Sequence, residues 1–543
     1  ARPPSTPGSP GAERGTGAPA WPVRLGSFGY LLGGLLALQT AGFNDPALSG
    51  PQIKLINAPV WDRFVDGMVS SLVPSAQVYA SWPWLGPVYQ MASYGDILRL
   101  WITPDTMQSF ALLALLEEKS GRLDGAGRGY HSNFARWWAT EVAEGGPTRL
   151  LNRITHPWSP TESILYFLIL DPTAPATTDP RPTQSVVFID KPAGRVVART
   201  GWDPGASMFD FRASWISINH QNADGGQFEL YRKGEWLTKE MSNYDNNAQG
   251  MTSAFHNTLS IQNWAQNSPP QNLQWYENTE WANGSQWKEG LAAGDPTSAI
   301  SNGQGYVFAE ADLTNLYNRP SQFTPANAVV DVSHASRSIV WLNGDDVVTY
   351  DRATTVHTGL FKRTSLNVIN QPTVSPLATG GLLVDETTPG GQHLYVQNLL
   401  PAGGTAKVTQ ASLLLNPIAW LEPTQWQVQF EDPAKPADVR FLNVLQGRDG
   451  GVSANPATLV QSSMGTGFDG AVWGANAAYF ARSLGGSFSG TTLPLPAGVH
   501  TLLVSGLTPG AGYTLSVSGG QVTITAGGSD AVAEGAGLIK AAV

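Results

Sequence analysis

A chain of 543 residues, 42% of them apolar and with 19 Trp and 19 Phe, is long enough for two or three domains with large cores. Its formal charge of −10 argues against a general nucleic-acid binder, whose phosphate contacts need basic surface. The absence of cysteine excludes disulfides, thiolate nucleophiles and Cys-ligated zinc, and the low charge (14%) beside 59 Gly and 39 Pro suits an extracellular, loop-rich, β-containing protein.

Residues 1–25, opening ARPPSTPGSPGAERGTG, are rich in Pro, Gly and Ser and predict a disordered or extended lead-in without the layout of a signal peptide. The apolar run GYLLGGLLALQTAG (29–42) is too short and Gly-broken to span a bilayer and reads as a buried helix. Residues 26–180 read as a helical domain. APVWDRFVDGMVSSL, TMQSFALLALLEEKSG and SNFARWWATEVAEGG space their apolar residues at three and four, and the last two end in Gly. Between them lies the aromatic loop YASWPWLGPVYQMASYGD, where Trp82 and Trp84 could stack on sugar rings or pack the helices. GAGRG (125–129) reads as a helix stop rather than a phosphate loop.

DPTAPATTDPRPTQ (171–184) is a linker by composition. Beyond it the period changes to two, with β-branched and aromatic runs between Asn-Gly, Lys-Gly and Pro-Gly turns. Residues 185–424 predict a large antiparallel β-sandwich, and 425–543 a small C-terminal β domain. The class is α+β and multidomain.

One β-rich stretch, residues 217–261, is unusually polar. Alternate side chains of a strand share a face, so in WISINHQNADGG the residues His220, Asn222 and Asp224 point one way. A turn at Lys233-Gly234 folds QFELYRKGEWLTKE into a hairpin that brings Glu240 back, and Tyr244 and His256 flank the loop that follows. The cluster suits a metal site, with Glu240 and His256 as ligands and Asp224 or Asn222 completing the set. It equally suits proton transfer by His220 and Tyr244, and the plain alternative is a polar network holding loops together. No G-x-S-x-G, H-E-x-x-H, P-loop or EF-hand pattern competes.

Helices followed by strands, with H-x-N-x-D-G-G-x-F at 220–228 and A-F-H-N-T at 254–258, resemble the heparinase II/III-type polysaccharide lyases, a superfamily that includes oligoalginate lyases. The likeness is diffuse over 60–420 and sharp around 215–262. It implies a partial α/α toroid before the sandwich, and β-elimination on a uronic-acid polysaccharide. A base removes the proton beside the carboxylate, and an acid protonates the departing glycosidic oxygen. His220 matches the catalytic histidine of the sandwich, Tyr89 the toroid tyrosine (Tyr94 and Tyr79 being the alternatives), and Tyr244 a second active-site tyrosine. Asn222 joins the catalytic set while replacing a metal-ligand histidine. A tyrosine base would need its pKa lowered by nearby cations, for which Arg337, Arg352, Lys239 and Arg99 are candidates, and Arg337, Arg352, Trp82, Trp84 and Tyr94 are assigned to substrate binding. His256 and Glu240 match zinc-ligand positions, but the loss of one histidine leaves a hydrogen-bonded cluster or a calcium-like ion as alternatives to structural zinc. No cofactor is required for the chemistry.

The upstream Asn or His that neutralises the substrate carboxylate in this family has no clear counterpart, Asn44 being only in the right region. The expected partner is an acidic polysaccharide, with no nucleic acid or membrane, in a secreted or periplasmic setting. Three other readings stand beside the lyase: a non-catalytic glycan-binding scaffold, a uronyl C5-epimerase, and a glycoside hydrolase using Asp224 and Glu240 as its carboxylate pair. The Trp-rich segment 263–287 would cover the cleft and favour exo-action.

Overall fold

The structure, a computed structural model, describes residues 21–78, 87–92, 106–142, 173–191, 194–213, 222–241, 252–262, 284–286, 298–318, 331–411 and 423–543. The chain divides into two compact units, one of residues 1–192 with 201–206, the other of 193–200 with 207–543.

The described part of the first unit is mainly helical, with helices at Trp21–Thr40, Val60–Ser71, Thr106–Ser120 and Ser132–Trp137. The helix at Trp21 starts inside the stretch expected to be an extended lead-in. Pro22 does not prevent this, because a proline in the first helical turn gives up no hydrogen bond. The three-and-four spacing read from the sequence becomes one core: Trp61, Phe64, Met68, Phe110, Leu113 and Trp138 are buried together. Phe110 sits at its centre, 5.6 Å from the Phe64 ring, 5.0 Å from Phe134 and 4.8 Å from Trp138. Burying each such side chain contributes about 1.5–3 kcal/mol. Glu117, wholly buried, accepts hydrogen bonds from the backbone and ring of His131, both at 2.7 Å. The GAGRG segment is a local turn: Asp124 accepts from the amides of Ala126 and Arg128, and a Cβ at Gly129 would collide with the Ala114 carbonyl. Close packing accounts for Gly129, and a left-handed turn conformation (φ 77°) for Gly127. Among the described residues no helix is long and apolar enough to cross a membrane.

The described part of the second unit is mainly strand. Its central sheet has eight strands in the spatial order Thr373–Pro376, Leu382–Thr387, His393–Leu400, Asp438–Arg448, Asp346–Thr355, Val332–Leu342, Tyr306–Asp312 and Ser298–Gly303. A four-stranded sheet runs Thr405–Thr409, Trp426–Glu431, Lys362–Val368 and Leu259–Ile261. The consecutive strands Arg195–Arg199, Ser207–Arg212, Gln227–Arg232 and Glu235–Thr238 pair antiparallel. Two five-stranded sheets follow from Ala457, antiparallel except for Asn476–Ala481 beside Thr501–Ser505. The strands Trp426–Glu431 and Asp438–Arg448 pair within the earlier sheets, so the separate C-terminal sheets begin after Arg448 rather than at 425.

The period of two gives the central sheet two different faces. Tyr306, Phe308, Val340, Val348, Tyr350 and Leu442 are buried with Trp473, Phe480 and Leu503 of the C-terminal sheets. The intervening residues face the other way, where Arg337, Thr349, Asn443 and Leu445 meet Phe228, Leu366 and Phe430 around a small internal space.

Candidate functional site

The polar segment gets its shape from a hairpin. Gln227–Arg232 and Glu235–Thr238 are joined at Lys233 (φ 45°) and Gly234 (φ 95°), the left-handed pair that a two-residue turn requires. The turn returns the chain so that Glu240 lies beside His256, its Oε2 3.2 Å from the imidazole Nδ1. Met241 is buried, and its amide donates to the Phe255 carbonyl at 3.0 Å, holding the two segments in register.

The two quoted motifs lock onto each other. The Asn257 amide donates to the Gln227 side chain, and its Nδ2 donates to the Phe228 carbonyl (2.8 Å) and to Thr238 Oγ1 (2.7 Å). Its Oδ1 accepts from the Asn367 amide at 2.7 Å. Thr258 Oγ1 donates to the Gly225 carbonyl at 2.6 Å. Gly226, at φ 84°, leaves no room for a Cβ between Leu313 and Thr258. Arg337 closes the knot from the central sheet, with Nη1 donating to the carbonyls of Gly226 and Asn257 while Nε and Nη2 hold Asp351.

Asp224, Glu240 and His256 are wholly buried, and one ligand atom from each lies within 4.8 Å of the others. Asp224 also pairs with Arg212. His256 Nε2 and Glu240 Oε1 are buried with no hydrogen-bond partner, a costly arrangement unless something else satisfies them. An imidazole with two carboxylates is a donor set for a divalent transition ion, and its nitrogen disfavours calcium, which takes oxygen ligands. These three residues fit such an ion.

Asn222 is also wholly buried. Lys239 is buried 3.4 Å from Glu229. Arg337 and Arg352 do not converge on one site: neighbouring register pairs, Arg337 with Asp351 and Ser336 with Arg352, put them on opposite faces of the central sheet. Arg352 is buried too, donating to the Ala481 carbonyl and to Ser338. These placements do not suit direct substrate contact. Asp224 and Glu240 likewise lack the solvent access that a hydrolytic carboxylate pair needs.

In the helical unit Tyr89 is half-buried, 6.3 Å from the Trp137 ring, with the Arg181 guanidinium 5.2 Å from its centroid. Burial pushes the phenol above its ordinary value, against the pull of Arg181. The cation beside this tyrosine is therefore Arg181, which the sequence reading missed. It lies in a segment legible only as linker, and its pairing with Asp179 is the one local signal. His220, Tyr244, Trp82, Trp84, Tyr94, Tyr79 and Arg99 lie outside the described residues.

No protein-family model matches the chain, and no curated protein matches it. Solved structures do. A heparinase III gene product aligns at 12% identity over 85% of this chain and 57% of its own, with a TM-score of 0.50. A mutant of the heparan sulfate lyase HepC from Pedobacter heparinus aligns at 15% identity over 80% and 54%, with a TM-score of 0.49. A further heparinase III aligns at 11% over 85% and 59%, with a TM-score of 0.46. The chain thus spans little more than half the length of the structures it matches. The first alignment shows a heparinase-like polysaccharide lyase fold.

Proposed function

We propose that this chain is a polysaccharide lyase that cleaves a uronic-acid-containing acidic polysaccharide by β-elimination. The observation that carries the reading is the buried Asp224–Glu240–His256 cluster, knotted by Asn257 and Arg337, within a heparinase-like fold. In this reading the helical residues 26–180 are part of an α/α toroid, and the strands from 185 form a sandwich with a C-terminal β domain.

His220 takes the proton from the carbon beside the carboxylate. The electron pair forms the new carbon–carbon double bond as the glycosidic C–O bond breaks, and Tyr244 returns a proton to the leaving oxygen. Stabilising the enolate-like charge on the carboxylate is the main demand. Burial raises the Tyr89 phenol above its ordinary value, which argues against Tyr89 as the base. His256, Glu240 and Asp224 would hold a divalent ion, whose charge would brace the strand and loop on either side of the catalytic residues. Asn222 is a positioning residue, and Arg337 and Arg352 are scaffold. Secretion or a periplasmic setting follows from the substrate.

The test is ultraviolet absorbance during incubation with alginate, glucuronan, heparan, chondroitin and hyaluronan. A rise on one polymer supports elimination and identifies the substrate. A flat trace with new reducing ends would replace the reading with hydrolysis. Binding without any turnover would replace it with a glycan-binding scaffold.

A further inference from the structure

A second polar feature lies on the other face of the central sheet. Register sets His334 opposite Thr354, Thr354 opposite Asp438, and Arg352 opposite Arg440, so all five share one face of three adjacent strands. Arg482, Ser483 and Leu484 from the C-terminal sheets complete the lining of a cleft of about 500 Å³, the size of a sugar-binding pocket. Arg337 points the opposite way, to Gly226 and Asn257. The cleft and the Asp224–Glu240–His256 cluster are therefore on opposite sides of the sheet.

Two arginines directly opposed on one face repel each other. One buried carboxylate holds two of the three arginines of the cleft from behind. Asp469 accepts from Arg440 Nη1 at 2.6 Å and from Arg482 Nε at 2.9 Å, and its other partners are Tyr350 (2.6 Å) and Gln461 (2.8 Å). Arg352 bonds to neutral groups, the Ala481 carbonyl and the hydroxyls of Ser336 and Ser338. The other acids nearby are Asp438 and Asp312, both exposed, and Glu310, which is buried against Ser338. Burial pulls His334 below its ordinary value, against the pull of Asp312 and Asp438. Arg440 and Arg482 keep side-chain exposures of 30% and 36%, so guanidinium edges fixed from behind by Asp469 remain open to a ligand. Fixed forks of this kind suit planar or tetrahedral oxyanions.

We propose that this cleft binds an oxyanion group of an acidic glycan, a uronate carboxylate or a sulfate ester, as a second carbohydrate site. The oxyanion follows from the arginines; that a glycan carries it rests on the lyase reading. The test is calorimetric titration of the full chain with inorganic sulfate, free glucuronate and a uronate oligosaccharide, at low and high salt. Wild type is expected to bind the oligosaccharide more tightly than either small ion, and more weakly at high salt. Arg482→Gln and, independently, Ser483→Glu on the exposed rim are expected to lower affinity about tenfold or more, with melting curves confirming the fold. No binding by wild type, or binding unchanged in both variants, overturns the proposal. Binding of sulfate without the oligosaccharide overturns the glycan as occupant. Because binding is read without turnover, a chain that eliminates nothing can still bear this site out, and an active lyase can lack it.

Discussion

Arg337 illustrates what one residue reveals only in three dimensions. A lone arginine in a strand reads equally well as a substrate contact or as scaffold, and only the register with Asp351 decides. Removing one partner of a buried, fully bonded ion pair costs about 3–5 kcal/mol. Arg337→Ala should therefore lower thermal stability sharply; a melt within a degree or two of wild type would contradict the knot described above. His256→Ala has a different expected signature. If His256, Glu240 and Asp224 hold an ion, zinc should raise the melting temperature of wild type, a chelator should lower it, and neither should move the variant. His220→Ala should leave the melt near wild type and abolish elimination; undiminished turnover would remove His220 from the mechanism. Among site residues, the sequence made legible those carried by short-range motifs, Glu240 and His256. Arg181 and Asn257 were not, because their contacts with Tyr89 and Asn367 join residues about ninety and 110 apart in the chain.

At the scale of elements, the helices and the hairpin were legible because each signal is local: apolar spacing for Val60–Ser71 and Thr106–Ser120, and a Lys-Gly turn for the hairpin. Burial on a strand was harder to see. Glu386, in Leu382–Thr387, is an acid at a position with no exposure, and burial pushes its carboxyl from 4.5 up to about 8. The folded protein then holds a proton that the unfolded chain releases, so stability falls as pH rises from about 4.5 to 8 and the loss is complete above that. The effect is at most a few kcal/mol, at about 1.4 kcal/mol per unit. Glu386→Gln should flatten the fall in melting temperature across this window and be the more stable form at pH 8. Lys362 acts in the adjoining range. Burial lowers it from 10.5 to about 8, so the folded form sheds its proton first and stability gains from pH 8 to 10.5.

For the whole molecule, the sequence indicated helices before strands but not how the strands are ordered. Trp426–Glu431 and Asp438–Arg448 look like any other β-run in the sequence, and their partners lie up to about a hundred residues earlier. That same order has a consequence for how the chain is made. Asp438–Arg448 lies between Asp346–Thr355 and His393–Leu400, so the strands on its two sides cannot join into one sheet until this late segment has left the ribosome. Non-local pairing of this kind is slow and exposes edges while it waits. Stalled nascent chains ending before residue 438 should stay protease-sensitive across 346–400, and protection should appear abruptly once residue 448 clears the exit tunnel. Gradual protection from 346 onward would refute this. The middle of the sheet is thus completed only late in synthesis, and until then its unfinished edges depend on whatever holds nascent chains apart.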